Sequence, residues 1–293
     1  ITWIDSSAFP YSKAYDLSDD GNVVVGDYYV ANPLAHHQAF RWTKNYGFVD
    51  IGTLGGLNAH SYGVSADGSI ITGNAQYNNL INAIGGAFYW TETSGIIDIG
   101  TLGGDAAIAH DISSDGNVIV GESEDGTCGR LMAFRWVKNI GMNNLGSFCN
   151  CCVSNATAVS SDGNVIVGYA EYNTYHTAFI WTPQSGLQDL GRLGGLQSEA
   201  LGVSGNGSVI VGWTDVDHPN GTRTHAFFWS SATGMVDIHN DSAGIGSFYS
   251  GFSRANSVSD DGRKIVGDIL LGGNLTKAFL WTEEKRMQSL TKL

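Results

Sequence analysis

One pattern repeats six times along this chain of 293 residues. Each repeat contains a segment of small residues, an Asp-Gly type turn, a Val/Ile run that ends in Gly, the motif Ala-Phe-x-Trp and a Gly-led apolar segment. The turn glycines are Gly21, Gly68, Gly116, Gly163, Gly207 and Gly262. The tryptophans of the motif are Trp42, Trp90, Trp136, Trp181, Trp229 and Trp281. Both series advance by about 48 residues, a period typical of propeller blades with four strands.

Each repeat has room for four short strands. In the second repeat, these are expected at residues 60–65, 69–73, 87–90 and 96–99. The 40 glycines and four prolines suit tight turns and continuous strand ladders. We therefore predict an all-β fold, a six-bladed β-propeller with four-stranded antiparallel blades, as a single domain over residues 1–293.

The Val/Ile runs and the tryptophans are expected to be structural. The runs are apolar at successive positions, as in strands that are covered on both faces. The tryptophans follow these runs at a fixed distance, so we predict that all six pack between neighbouring blades in equivalent buried environments. A sugar-stacking ladder is the less favoured interpretation.

Charge and hydropathy exclude several partners. A net charge of −13 opposes nucleic acid and anionic lipid, which require clustered Lys and Arg. No apolar run reaches the roughly 20 residues that span a bilayer, so no membrane insertion is expected. The chain starts with Ile1, which suggests a processed chain whose secretion signal would be invisible here. We expect a monomer.

The motifs resemble those of the HAF-repeat family of predicted extracellular proteins. The likeness rests on Ala-Phe-x-Trp, on Val/Ile strands that end in Gly, and on exits such as Gly52-Thr-Leu-Gly-Gly56, and it covers residues 11–290. Only His225 keeps the histidine of the His-Ala-Phe motif in place. The resemblance implies an extracellular or cell-surface protein and no particular reaction.

The closure of the ring can be read in two ways. Residues 1–5 resemble a fourth strand, although the last repeat has its own at residues 287–290. Either the N-terminal strand joins the last blade as a clasp, which we favour, or the chain starts inside a longer array.

Candidate binding residues lie at the start of each first strand. The positions eight residues before the turn glycines differ between repeats: Lys13, His60, Ile108, Asn155, Glu199 and Arg254. The positions six residues before are Tyr15, Tyr62, His110, Thr157, Leu201 and Asn256. First strands line the axial channel of a propeller, so the polar members could ring its mouth on the face with the irregular loops. Solvated rim residues are an equally weighted alternative.

We predict a ligand site from these positions and from aromatic side chains of the loops. The predicted ligand-binding residues are Lys13, Tyr29, His60, Tyr62, His110, Asn155, Glu199, Trp213 and Arg254. Aromatic rings beside carboxylates suit carbohydrate or peptide contacts. The other interpretation is that the rings cap the ends of the blades.

No metal site or cofactor is predicted. The eight histidines lack His-Glu-x-x-His spacing, and those at 37, 176 and 225 are interpreted as echoes of the repeat. The segment 215–221 only faintly resembles a calcium loop, so calcium stays possible but unsupported.

The four cysteines, Cys128, Cys149, Cys151 and Cys152, all belong to the third repeat. Cys128 is expected in the loop between strands two and three, on the same face as the others, which favours a disulfide from Cys128 to that group in an oxidising compartment. Three pairings are possible, one with a Cys151–Cys152 bridge. Zinc is the rival interpretation.

These features favour a secreted or surface propeller that binds an extracellular glycan, peptide or protein without catalysis. The alternative is a carbohydrate-active enzyme, a polysaccharide lyase or glycosidase, with its site at the channel mouth. Residues 13, 60, 62, 110 and 254 would supply its base, acid and cation. A purely structural passenger of a longer surface protein is the third possibility.

Overall fold

The computed structural model describes residues 11–31, 35–78, 85–172, 174–217, 221–239, 249–271 and 275–290. Residues 1–5, the expected clasp, lie outside this part of the chain. The chain divides into two compact units between Asn144 and Leu145, called here the N-terminal and C-terminal units.

The N-terminal unit holds three repeats of four strands each. The first contains β1 (Ser12–Leu17), β2 (Val23–Val30), β3 (His36–Thr43) and β4 (Gly47–Asp50). The second contains β5 (Ala59–Val64), β6 (Ile70–Gln76), β7 (Gly85–Thr91) and β8 (Gly95–Asp98). The third contains β9 (Gly103–Ile112), β10 (Val118–Asp125), β11 (Arg130–Val137) and β12 (Gly141–Asn144).

The C-terminal unit holds the other three repeats. The fourth contains β13 (Ser154–Val159), β14 (Ile166–Tyr172), β15 (Tyr175–Thr182) and β16 (Gly186–Asp189). The fifth contains β17 (Gly194–Val203), β18 (Ile210–Val216), β19 (Arg223–Ser230) and β20 (Gly234–Asp237). The sixth contains β21 (Tyr249–Val258), β22 (Lys264–Leu271), β23 (Leu275–Thr282) and β24 (Arg286–Ser289).

The sheets are antiparallel meanders, as the repeat predicts. The first, second and fourth repeats each form a separate four-stranded sheet in chain order. The fifth and sixth repeats differ, because a parallel pairing of Thr224 with Phe252 joins β19 to β21 in one eight-stranded sheet. Among the described residues there is no α-helix, and therefore none that could cross a lipid bilayer.

Hydrogen-bonded turns join the first two strands of each repeat. In the second repeat, the Ser65 hydroxyl donates to Asp67 Oδ1 at 2.7 Å, and the Ser69 backbone N–H donates to the same oxygen at 2.9 Å. Gly68 has a φ of 70°, a left-handed conformation that favours glycine. The same arrangement recurs in the other repeats, with Asn206 in the place of the aspartate in the fifth.

Each unit has its core between neighbouring sheets. The six phenylalanines of the motif are all nearly inaccessible to solvent: Phe40, Phe88, Phe134, Phe179, Phe227 and Phe279. The prediction of six equivalent buried tryptophans is wrong. Trp90, Trp136 and Trp281 are buried, whereas Trp42, Trp181 and Trp229 are only partly buried.

The turn aspartates predict a loss of stability in acid. Hydrogen bonds from Ser65 and Ser69 lower the pKa of Asp67, and those from Ser160 and Asn164 lower the pKa of Asp162. A carboxyl group with a lower pKa in the folded state stabilises the fold above its unfolded pKa of about 3.9, and this contribution is lost as the pH falls through the folded pKa. We expect the urea midpoint to fall steeply below about pH 4.

Asparagine at these positions tests this origin, because Asn206 shows that an amide can accept the same bonds. The double variant Asp67→Asn/Asp162→Asn should be slightly less stable at pH 7 and should lose less stability between pH 5 and pH 3. An acid profile identical to that of the wild type would show that these turns are not responsible.

Candidate functional site

Polar and aromatic side chains gather in two clusters, one within each unit. The Asp27 cluster of the N-terminal unit comprises Asp27, His37, His60, Tyr62 and His110. The Glu199 cluster of the C-terminal unit comprises Tyr169, His176, Glu199, Trp213 and Arg254. Members come from first strands, from the start of third strands and from second strands just beyond their glycine.

A glycine and a bulge together fix the backbone at these sites. The carbonyl oxygen of His60 packs against Gly73, where a Cβ atom would lie only 1.9 Å from that oxygen. The register of β5 and β6 then shifts between Ser61 and Gly63, so that Tyr62 has no partner on β6. Such a bulge re-aims a side chain and is common beside functional sites.

The bulge and the glycine recur through the molecule. The unpaired residue of the first strand is the one six positions before the turn glycine: Tyr15, Tyr62, Thr157, Leu201 and Asn256. The residue whose carbonyl packs on the strand-two glycine is the one eight positions before: Lys13, His60, Ile108, Asn155, Glu199 and Arg254. The positions six and eight residues before the turn glycines, which the sequence marks as candidates, are therefore the bulged residue and the residue whose carbonyl contacts the glycine.

Asp27 is the centre of the N-terminal cluster. Its side chain is only 2% exposed, and its two oxygens face two different imidazoles. Oδ2 lies 2.5 Å from His37 Nδ1, and Oδ1 lies 3.4 Å from His60 Nδ1. Burial alone would raise the pKa of Asp27, but the interactions with His60 and His37 outweigh it and hold that pKa below its usual value. Asp27 is therefore an anion at neutral pH.

Aromatic contacts order the imidazoles in a row. The rings of His37 and His60 have centroids 5.1 Å apart, and His60 stacks on Tyr62 at 5.9 Å with an angle of 4° between the planes. The Tyr62 ring lies 6.2 Å from that of His110, whose Nε2 faces Glu122 Oε1 at 3.9 Å. The row joins residues from three consecutive repeats and keeps its histidine side chains partly exposed.

Tyr62 of this cluster and the neighbouring Tyr15 can donate protons but cannot act as bases at neutral pH. Burial, followed by the hydrogen bond to Asp27 and its charge, raises the pKa of Tyr15 to about 12. Burial and the charge of Asp27 also raise the pKa of Tyr62. Both hydroxyls thus stay protonated at pH 7, and a base for any reaction here would have to be an imidazole or a carboxylate.

Glu199 is the centre of the C-terminal cluster. His176 Nε2 lies 2.9 Å from Glu199 Oε1, and the Trp213 indole N–H donates to Glu199 Oε2 at 3.0 Å. The His176 ring lies between those of Tyr169 and Trp213, at 5.2 and 5.8 Å. The Arg254 guanidinium lies 5.4 Å from the centroid of the Trp213 ring, within the range of a cation–π contact.

The two clusters use equivalent positions, in the first and second repeats for one and in the fourth and fifth repeats for the other. His37 and His176 each precede the motif alanine by two residues, and His60 and Glu199 each lie eight residues before a turn glycine. Asp27 and Tyr169 each lie six residues after one. An imidazole thus pairs with a carboxylate in both clusters, with the carboxylate on strand two in one and on the next first strand in the other.

The predicted ligand-binding residues divide between these clusters. His60, Tyr62 and His110 belong to the first, and Glu199, Trp213 and Arg254 to the second. Asn155 is buried and lies opposite Tyr169 in the register of β13 and β14. Lys13 pairs with Asp27 across β1 and β2, but its side chain is exposed.

The interpretation of Tyr29 and Trp213 as loop residues is wrong. Tyr29 lies in β2 and Trp213 lies in β18, because these hairpins extend further than the apolar runs suggest. The Tyr29 ring contacts those of Tyr11 and His37, at 6.3 and 5.5 Å.

Sequence reasoning missed His37 and His176 as members of a site, and Asp27 was not among the predicted ligand-binding residues. One signal could have found the two histidines: both lie two residues before the motif alanine, in the first and the fourth repeat. His225 is one residue closer to its alanine and forms a different, buried group. It stacks on His239 at 4.1 Å and binds Asp237 at 2.8 Å, while burial lowers the pKa of His239 to about 4.

All four cysteines are in disulfide bonds. Cys149 pairs with Cys152, with their Cα atoms 5.5 Å apart, and Cys128 and Cys151 each take part in a disulfide bond as well. The prediction of disulfides is confirmed. The Cys151–Cys152 bridge is excluded because Cys152 is already paired with Cys149. Residues 218–220 of the weak calcium loop lie outside the described part of the chain.

Comparisons with solved structures identify the fold. The chain is similar to the β-propeller domain of the Trilobed protease from Pyrococcus furiosus, at 10% identity over 97% of this chain and 86% of that one, with a TM-score of 0.64. It is similar to Pyrococcus horikoshii acylaminoacyl peptidase, at 11% identity over 98% of this chain and 47% of that one, with a TM-score of 0.59.

TolB from Acinetobacter baumannii is also similar, at 17% identity over 75% of this chain and 51% of that one, with a TM-score of 0.51. The chain thus spans about half the length of TolB and of the acylaminoacyl peptidase. No protein-family model and no curated protein sequence matches it. At these identities the likeness concerns the fold alone, and the fold of this chain is that of a β-propeller.

Proposed function

We propose that this protein is a secreted or surface-exposed β-propeller that binds a glycan or peptide ligand through the loop-bearing ends of its sheets, without catalysis. The observation that carries the proposal is the pairing of a third-strand imidazole with a carboxylate, flanked by aromatic rings, in each cluster: His37 with Asp27 in the first repeat, and His176 of the fourth repeat with Glu199 of the fifth. A packing role alone would not require partly exposed imidazoles at both places.

The chemistry of the clusters suits such a ligand. Asp27 and Glu199 offer carboxylate acceptors to hydroxyl or amide groups, and Arg254 offers a cation. The neighbouring tyrosine and tryptophan rings offer apolar faces at a low cost in rotamer entropy. Partly buried polar groups set the orientation of a ligand, while ring contacts supply the apolar burial.

Two further features belong to the proposal. The disulfide-bonded cysteines support an oxidising compartment, in line with secretion or surface display. The six motif phenylalanines and six turns support six blades, of which the fifth and sixth are joined in the eight-stranded sheet through Thr224 and Phe252.

A glycan array and a peptide array, each followed by calorimetry with the best probe, test the proposal. Whichever cluster holds the probe, His60→Ala in the first or Arg254→Ala in the second should weaken its binding about two- to tenfold, since a stacked ring or a cation–π contact contributes about 0.5–1.5 kcal/mol. The thermal midpoint should stay unchanged, because both side chains lie outside the packed core.

Tyr46→Ala is the matched control. Tyr46 is 79% exposed, but it lies in the turn between β3 and β4, at the opposite end of its sheet from the loops. Its loss should leave binding intact. If a folded protein that lacks the side chains of Lys13, His60 and Arg254 still binds the probe, neither cluster binds it and the proposal is wrong.

One observation keeps an enzyme as the alternative. His60 stacks on a tyrosine that stays protonated at neutral pH, so that a base and an acid are adjacent. A polysaccharide lyase or glycosidase would release unsaturated uronates or new reducing ends from the polysaccharides on the array. Turnover that is lost in both His60→Ala and Tyr62→Phe would favour the enzyme over the binding protein.

A further inference from the structure

We propose that Asp27, His37 and His60 form a binding site for a divalent transition metal, with zinc as the most suitable ion. The three side chains come from β2, β3 and β5, and their ligand atoms all lie within 4.8 Å of one another. Two imidazole nitrogens and one carboxylate oxygen are a common ligand set for Zn²⁺. The sequence shows no metal signature because the three residues belong to three strands of two repeats.

Two buried atoms of the cluster have no hydrogen-bond partner. They are Asp27 Oδ1 and His60 Nδ1, which face each other at 3.4 Å without a well-formed hydrogen bond. An unsatisfied oxygen on a carboxylate that is only 2% exposed is costly to bury. A bound cation would satisfy both atoms at once.

The spacing of these atoms fits a metal better than a hydrogen bond. Tetrahedral zinc with bonds of 2.0–2.1 Å places neighbouring ligand atoms about 3.3 Å apart. The distance of 3.4 Å between His60 Nδ1 and Asp27 Oδ1 is close to this value. His37 Nδ1 lies closer to Asp27, at 2.5 Å, and a small rotation of its ring, which is 39% exposed, would open that edge.

The surroundings keep the imidazoles directed at Asp27. His60 stacks on Tyr62, and His37 lies against the rings of Tyr29 and His60. Fixed ligand rings raise the affinity of a metal site because less order must be gained on binding. The net charge of −13 also favours a cation over an anion at this position.

Three protein ligands leave a fourth position open. In tetrahedral sites, such a position is taken by water or by an oxygen of a bound molecule. The inference does not rest on the proposed ligand, because metal binding can be measured without any glycan or peptide.

Calorimetry with Zn²⁺ on protein first treated with EDTA and then freed of it tests the site. The wild type should bind one Zn²⁺ per chain, and Co²⁺ in its place should give the strong visible absorption of tetrahedral coordination. His60→Ala and Asp27→Asn should weaken Zn²⁺ binding at least about 100-fold and abolish the Co²⁺ spectrum, since loss of a direct ligand exceeds the 10–100-fold cost of losing an outer-shell partner.

His37→Ala guards against misfolding, because this partly exposed side chain can be removed with the least effect on packing. It should weaken Zn²⁺ binding at least about 100-fold while the protein still unfolds cooperatively in EDTA, with a midpoint lowered only by the lost contact to Asp27. His36→Ala is the matched control, since it removes the neighbouring imidazole, which alternation along β3 places on the other face of the strand. It should bind Zn²⁺ as the wild type does.

Two results would overturn the proposal. One is the absence of saturable Zn²⁺ binding by the wild type at millimolar Zn²⁺. The other is equal affinity in the wild type, His37→Ala and His60→Ala, which would assign the metal to other residues. Loss of glycan or peptide binding with intact Zn²⁺ binding would count against the proposed function and support the metal site.

Discussion

Replacing Trp136 with alanine is expected to lower the free energy of unfolding by about 3–5 kcal/mol, as for other large aromatic residues removed from a core. Trp136 is 8% exposed and belongs to a buried cluster with Ile70, Ala107 and Phe134, where its ring lies 5.6 Å from that of Tyr89. Its removal leaves a cavity between neighbouring sheets that small movements cannot fill. Urea denaturation followed by circular dichroism measures the effect.

Trp42→Ala is the control for this prediction. Trp42 occupies the same position of the first repeat but is only partly buried, so its removal should cost distinctly less. Equal losses for the two variants would mean that the motif tryptophans act through something other than burial. An unchanged unfolding midpoint for Trp136→Ala would contradict the packing described here.

Gly73→Ala is expected to destabilise the N-terminal unit by about 3 kcal/mol or more, at or above the upper end of typical overpacking. The added Cβ would lie 1.9 Å from the carbonyl oxygen of His60, and backbone cannot yield as a flexible side chain does. Relief would require β5 to move away from β6, which would also displace the imidazole of His60. We expect a lower thermal midpoint together with weaker Zn²⁺ binding.

Gly95→Ala separates the clash from the conformational preference of glycine. Gly95 has a φ of 67°, and no heavy atom would lie within 4 Å of its Cβ, so the cost should be only the roughly 1–2 kcal/mol of the left-handed conformation. Zn²⁺ binding should stay that of the wild type. A Gly73→Ala protein as stable as Gly95→Ala would show that the close approach of the carbonyl is not required.

The turns and strands could be predicted because the same local sequence pattern occurs in every repeat. The turn around Gly68 and the apolar strand at 70–71 follow from local patterns that the other repeats support. The partial exposure of Trp42 could not be predicted, since the buried Trp90 occupies the same position of the same motif. Nor could the pairing of Thr224 with Phe252, which is a contact between repeats.

The candidate site was predictable in part. The variable positions at 60 and 199 mark it, because a repeat protein changes residue type freely only where packing does not decide. Their partners, Asp27 for His60 and His176 for Glu199, were not predictable from spacing. Each lies on a different strand from its partner, and only the folded sheets bring the two together. The bulge at Tyr62 was not predictable either, because no residue type marks it in the sequence.

The contact between the strand-two glycine and the carbonyl eight residues before the turn has a consequence for diversification. At these positions the backbone is held by its own atoms and by a residue without a side chain, so the side chain there contributes little to the placement of the strand. Lysine, histidine, isoleucine, asparagine, glutamate and arginine all occur at this place in a single molecule. The fold thus offers a set of equivalent positions at which the side chain can change. New binding chemistry can be acquired there one residue at a time, because the backbone contact stays the same.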